Sequence, residues 1–299
     1  MKRLTPLPLL AGFLLMLAVV PSLAGAAVPG QVNVGLSDVI ATVEKSFRQV
    51  NGGAPPISDF AANFFQRTVL AKDQRELRAE GQMSVKLPAG SSPLKFRFEY
   101  FRPLQQDIVS DGAKLWIYHP DNREVILSDV SFLYQRMSFS GPRDRSINFL
   151  EGLDRISHDF QINFAAGMYD SAGNYVLELT PRRSMLNTRR ILLVVNRESV
   201  MAYVRGATPL ATPGSAPSQR LQGPAPQPRD PFGSLPAFGG TKSDTFPILS
   251  TTVYDHEGNT VTMELLNVQV NGRIPDFVFN FIIPGGVQIV RPSEQNIPR

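Results

Sequence analysis

"PLKFRFEYFRPLQQDIVSDGAKLWIYHPDNREVILS", residues 93–128, alternates apolar and polar positions through four short runs. In 93–103, Leu94, Phe96, Phe98 and Tyr100 fall on one side and Lys95, Arg97 and Glu99 on the other. A period of two predicts a half-buried strand. Three more runs follow at 105–112, 113–120 and 123–128, separated by Asp111-Gly112 and Pro120-Asp121-Asn122, which are turn residues. Short strands with tight turns imply an antiparallel meander. From the pattern alone an ordinary packed core is the default for the aromatic face, since one buried face per antiparallel strand is the rule. A curved sheet with helices across its inner side would instead enclose an apolar cavity.

Outward from this stretch, "LSDVIATVEKSFRQVN" (36–51) places Leu36, Val39, Ile40, Val43, Phe47 and Val50 at helical spacing, with Ser37 or Asp38 to cap it. The runs 59–71 and 78–87 read as a hairpin. The pattern predicts a helix over 143–157, weakened by Gly152, and strands at 159–165, 174–180, 190–196 and 199–205. Residues 206–247 hold nine of the 25 prolines and read as a disordered or polyproline-like insertion in a connecting loop. A second hairpin covers 248–270, turning at Glu257-Gly258-Asn259. A last strand is expected over 276–290, where Phe277, Phe279 and Phe281 repeat the aromatic alternation. The economical picture is a single sheet of about eleven or twelve strands, a size at which sheets curl.

The chain has 299 residues, a net charge of +4 and no cysteine. Its basic residues are scattered, which argues against a nucleic-acid partner. Residues 1–26 read as a secretory signal peptide: Lys2 and Arg3, the apolar run 4–20, then Ala24-Gly25-Ala26. The expected mature chain, 27–299, is a single exported, soluble domain that carries the insertion. Lacking cysteine, it has no thiolate chemistry, no Cys-ligated metal and no N-terminal cysteine to lipidate.

The residues offer no active site. His119, His158 and His256 have no metal-ligand spacing to one another. Ser157-His158-Asp159 name a triad, but consecutive residues cannot converge in the geometry a triad needs. Asp255-His256-Glu257 sit at an expected hairpin turn, and no phosphate-binding loop or nucleophile elbow is present. The expectation is a protein that is not an enzyme, with no cofactor and no metal.

The order of the segments resembles the periplasmic outer-membrane lipoprotein carriers, the LolA family. The resemblance runs through 62–69, 80–88, 96–125, 149–162, 175–182 and 254–290, nearly the whole mature chain outside the insertion. Its most specific block is Pro103, Val109, Ser110, Asp111, Gly112, Leu115, Trp116, Tyr118 and Pro120. The resemblance implies a mainly β fold: a half-open antiparallel barrel of eleven or so strands with short α-helices forming a lid over an apolar cavity. It implies that the cavity takes the acyl chains of lipoproteins released from the inner membrane and hands them to the outer membrane. The partners would be those lipoproteins, an inner-membrane lipoprotein-release ABC transporter and an outer-membrane acceptor, with the protein a monomer in the periplasm.

Carried onto this sequence, the cavity wall falls on Phe96, Phe98 and Tyr100, with Ile108, Leu115 and Ile117 as neighbours by position. Leu87, Phe149 and Leu150 are candidate lid contacts. In the family, an arginine at the end of the second strand helps to hold the lid closed. Here that position is Leu87, between Lys86 and Pro88, and a leucine cannot donate to a lid carbonyl. Lys86 and Arg97 are candidate substitutes. The alternative reading is a lipid-binding sensor or regulatory module of the same fold.

Overall fold

The computed structural model describes residues 33–49, 55–129, 150, 152–185, 188–206 and 246–291, with the backbone of 241–242. The expected signal peptide therefore lies outside the described residues, as do 207–240 and 243–245 of the expected insertion. Val34–Arg299 forms one compact unit.

A helix α1 (Leu36–Phe47) opens this unit, its Asp38 carboxylate accepting the Gly35 N–H at 2.9 Å. The strands are β1 (Asp59–Leu70), β2 (Arg75–Lys86), β3 (Lys95–Arg102), β4 (Gln106–Ser110), β5 (Lys114–His119) and β6 (Glu124–Asp129). A short helix α2 (Ile156–Asp159) precedes β7 (Phe160–Tyr169), β8 (Tyr175–Pro181) and β9 (Arg190–Val195). Helix α3 (Arg197–Val204) is followed by β10 (Thr241–Lys242), β11 (Ile248–Tyr254), β12 (Thr260–Val270) and β13 (Gln288–Val290).

These form a 13-stranded sheet in the order β13-β6-β5-β4-β3-β2-β1-β12-β11-β9-β8-β7, with β10 beside β12. The first and last long strands, β1 and β12, are neighbours, and the outermost strands β7 and β13 are not paired with each other. The sheet is thus an open barrel wall. Buried residues of β5 and of β8–β9 belong to one hydrophobic cluster, which curls the sheet about a common core. Val39, Val43 and Phe47 of α1 complete that cluster on the inner face. The Asp111-Gly112 turn needs its glycine: φ is +91°, and a Cβ there would meet Pro93 at 2.2 Å.

Three expectations change. The strand expected at 199–205 is helix α3, started by Asn196, whose side chain accepts the Glu198 N–H at 2.9 Å. Val200 and Val204 are four residues apart and share a helix face as readily as a strand face. The helix expected over 143–157 does not run through: 152–154 is a turn, and α2 is a separate piece. Residues 143–149 lie outside the described residues. The strand expected over 276–290 is a 3₁₀ turn (Asp276–Phe279), an extended segment and the short β13, which pairs parallel with β6.

That last segment alters the outer face. Lys95, Arg97 and Glu99 were expected there as a solvated row. Instead the C-terminal segment crosses it as a strap. Asp276 pairs with Lys86 at 2.6 Å and Lys95 at 2.9 Å, and Arg97 donates to the Val278 carbonyl at 3.4 Å. Ile274, Val278 and Phe279 form a separate buried cluster with Ala61, and Phe281 packs on Trp116 and Tyr118.

Candidate functional site: the lidded inner face

The strand register builds the site. Met83, Phe98, Ile108, Ile117 and Ile126 stand in one cross-strand row on β2 to β6. Val85, Phe96, Ser110 and Leu115 form the next row. Gly81, Tyr100 and Gln106 form a third, where the Tyr100 hydroxyl donates to Gln66 at 3.0 Å. Side chains on one face of paired strands are the units of sheet packing. Phe96 and Phe98 meet at 5.8 Å, and Phe64 lies 4.9 Å from Tyr100, in the edge-to-face geometry that aromatic pairs prefer.

A cavity of about 30 Å³ remains between this wall and the elements over it. Phe60, Met83, Phe98, Met263 and Leu265 line it from the sheet, and Leu150, Leu153 and Phe246 from the other side. It has room for about two waters. Pockets that enclose a drug-sized ligand run to about 300–1,000 Å³. At this volume the space cannot hold a long chain unless the elements around it move apart.

Of the expected wall residues, Phe98 lines the cavity, and so does the expected lid contact Leu150. Phe96, Tyr100, Ile108, Leu115 and Ile117 are buried on the same inner face, as packed core around it. Leu87 is buried in that core just past the end of β2, and Phe149 lies outside the described residues. Neither candidate substitute for the lid arginine faces the cavity: Lys86 is tied to Asp276 and to the Ile274 carbonyl. Arg97 is tied to Glu99 and Asp107. Sequence reasoning missed Phe60, Met83 and Met263, although alternation on β1, β2 and β12 marks them. It also missed Phe246, inside the expected insertion, which packs on Phe47 of α1 and Phe60 of β1.

The polar residues over the cavity have structural partners. The Glu44 carboxylate accepts the Ser157 N–H at 2.8 Å and the Ser157 hydroxyl at 2.5 Å. Ser157 is thus turned from His158, whose Nδ1 lies 2.7 Å from Asp159 in an exposed pair. Asp255 orders the β11–β12 turn through the N–H groups of Glu257 and Asn259. Among the described residues no three His, Asp or Glu side chains cluster as metal ligands.

The described strands thus form an open wall, antiparallel except for β13, with an apolar inner face covered by short elements. Residues 56–205 match the family described as outer membrane lipoprotein carrier protein LolA, and the chain belongs to that family. An outer-membrane lipoprotein carrier protein of Legionella pneumophila (strain Corby) is 23% identical over 236 residues, 79% of this chain and 84% of that one. One from Francisella tularensis subsp. novicida (strain U112) is 36% identical over 75 residues, 25% of this chain and 34% of that one. Among solved structures, a LolA superfamily protein from Nitrosomonas europaea covers 83% of this chain and 99% of its own, with a TM-score of 0.36 and 17% identity.

Proposed function

We propose that this protein is a periplasmic carrier that takes the acyl chains of lipoproteins released from the inner membrane and delivers them to the outer membrane. Residues 1–26 would direct its export. Its partners would be the lipoprotein cargo, a releasing ABC transporter and an outer-membrane acceptor, and it would act as a monomeric chaperone without catalysis. The observation that carries the reading is the apolar inner wall around Phe98, with a small cavity left between it and Leu150, Leu153 and Phe246, in a chain of this family.

The physics fits a carrier. Burying an acyl chain is worth about 0.8 kcal/mol per CH₂, so a ~16-carbon chain left in water costs on the order of 12 kcal/mol. A lipoprotein cannot cross an aqueous compartment bare. The carrier must also let go. Met83 and Met263 in the wall are flexible side chains that can repack around different chains, which limits affinity.

The test is uptake of a fluorescent fatty-acid probe by the purified mature protein. Phe98→Glu places a carboxylate at the cavity wall and is expected to weaken probe binding at least about ten-fold, since an unpaired buried charge is strongly disfavoured. Met263→Trp fills the same space without charge and covers the case in which Phe98→Glu fails to fold, as judged by circular dichroism. If both folded variants bind as tightly as wild type, the cavity is not the acyl site. Release of lipoprotein from transporter-bearing vesicles as a 1:1 soluble complex tests delivery itself.

A further inference from the structure

We propose that Glu44 is the gate residue of the cavity: its carboxylate latches the 152–159 segment, and cargo enters when that latch opens. The inference deepens the carrier reading and rests on it for its purpose, but the gate itself is argued from geometry.

The cavity, about 30 Å³, can widen to take a chain where the side bearing Leu150 and Leu153 moves away from the sheet. What holds the 152–159 segment down is therefore what controls entry. Its far end is fixed: the Arg182 N–H donates to the Asp159 carbonyl at 3.0 Å, and β7 begins at Phe160. Ser157, two residues before that end and also bound at its carbonyl by Arg182 at 3.4 Å, and Asp154 further back are both tied to the C-terminal end of α1. One oxygen of Glu44 accepts both donors of Ser157, and the other accepts Arg48 at 2.7 Å. Arg48 in turn donates to the Asp154 carbonyl at 3.2 Å. A carboxylate offers about four acceptor sites on two oxygens. Here one side chain, 7% exposed, joins two elements through charge-assisted bonds.

Helix α1 is a firm anchor for such a latch. Lys45 donates to the Tyr203 hydroxyl of α3 at 2.7 Å, and Gln49 donates to the Pro88 carbonyl at 2.9 Å, beside Leu87. Leu87 itself supplies only apolar contact. The polar ties of the 152–159 segment thus run to α1, and at its far end to Arg182 just past β8. Leu153 lines the cavity and the fully buried Ile156 stands between it and the fixed end, so freeing Ser157 and Asp154 removes the polar restraint on Leu153 while β7 stays in place.

The chain has no cysteine, so a single Met263→Cys puts one thiol in the cavity wall. Its rate of reaction with a small thiol reagent reports opening without any cargo. A second reporter, Leu193→Cys, lies in the buried β9 core and reports global unfolding. With Ser157→Ala the Met263→Cys rate is expected to rise about ten-fold, the scale of one charge-assisted hydrogen bond. Glu44→Ala should raise it further, and Glu44→Gln, which keeps an acceptor oxygen, should fall between wild type and Glu44→Ala. The Leu193→Cys rate should not follow. An unchanged Met263→Cys rate, or equal rises at both reporters, overturns the gate. If the gate variants behave as expected but no variant takes up the fatty-acid probe, the gate stands and the carrier reading fails.

Discussion

The two faces of β2–β6 are equally buried in places and yet do opposite things. Phe96 faces inward and Val109 and Val125 face outward, and all three are fully buried. The inner face is aromatic and aliphatic, and small elements tied by a few polar bonds cover it. The outer face mixes Lys86, Lys95, Arg97, Glu99 and Asp107 with Trp116 and Tyr118, and the chain's own C-terminal segment covers it. Burial alone therefore does not mark a binding wall. What differs is the cover: short elements over unfilled space on one side, a packed strap on the other.

The contrast breaks most severely where the inner face is tightest. Gly81 is the position at which β2 lets Phe64 lie against β3. A Cβ there would fall 2.1 Å from the Glu99 carbonyl oxygen and 2.7 Å from the Phe64 ring. The first contact is backbone and cannot swing away. Gly81→Ala is expected to cost about 3 kcal/mol or more, as overpacking of a dense core does, read as a shifted urea midpoint. A loss under about 1 kcal/mol, below the usual cost of overpacking, would show that the inner wall is looser than its contacts imply.

Most of the sheet was legible because alternation and turn chemistry agree along it: Asp111-Gly112 and Pro120-Asp121-Asn122 end strands where the register then closes. The misread parts are those where two periods coincide. Val200 and Val204 suit a strand or a helix, and the Asn196 cap was the overlooked signal. Phe277, Phe279 and Phe281 alternate, but the 3₁₀ turn leaves Phe277 63% exposed and Phe279 fully buried on the outer face. In the site, Phe98 and Leu150 were readable from strand phase and resemblance. Phe246 was not, because its burial depends on meeting Phe47 and Phe60 from distant parts of the chain. The Glu44–Ser157 latch spans 113 residues, and no local pattern announces it.

A middle-sized effect sharpens the outer face. Burial under the strap raises the Asp107 carboxyl from 3.8 to about 6, with Glu99 adding to the rise and Arg97 opposing it. Arg97 is shared between both carboxylates, at 3.0 Å from Glu99 and 3.1 Å from Asp107, so neither has it whole. The folded state then binds more protons than the unfolded one between about pH 4 and 6, and stability falls as pH rises through that window. The total is on the order of 3 kcal/mol. Asp107→Asn removes the titration. Relative to wild type, the variant should gain stability from pH 4 to pH 6.5 and change little above that. A gap between the two chains that stays constant with pH would mean Asp107 is ionised throughout and Arg97 serves it fully.

The smallest effect is expected where the strap looks most tightly pinned. Asp276 makes the shortest ion pair of the strap, yet its side chain is 60% exposed. Lys86 and Lys95 hold its carboxyl below the usual range by hydrogen bonding and charge. Exposed pairs contribute about 0–1 kcal/mol and weaken with salt. Burial of Phe279 and the stacking of Phe281 on Trp116 and Tyr118 should carry most of the strap's attachment, because aromatic burial is worth several times as much. Asp276→Ala also leaves Lys86 and Lys95 directly opposite each other on β2 and β3, an unfavourable like-charge pair. The expected result is a loss of about 1 kcal/mol or less at low salt, shrinking further at about 0.5 M salt as screening shortens to a few ångströms. A loss as large as that of Gly81→Ala, or one indifferent to salt, would place the hold of the strap in its charges. The outer cover would then be a polar latch like the inner one, and the distinction between the two faces would fail.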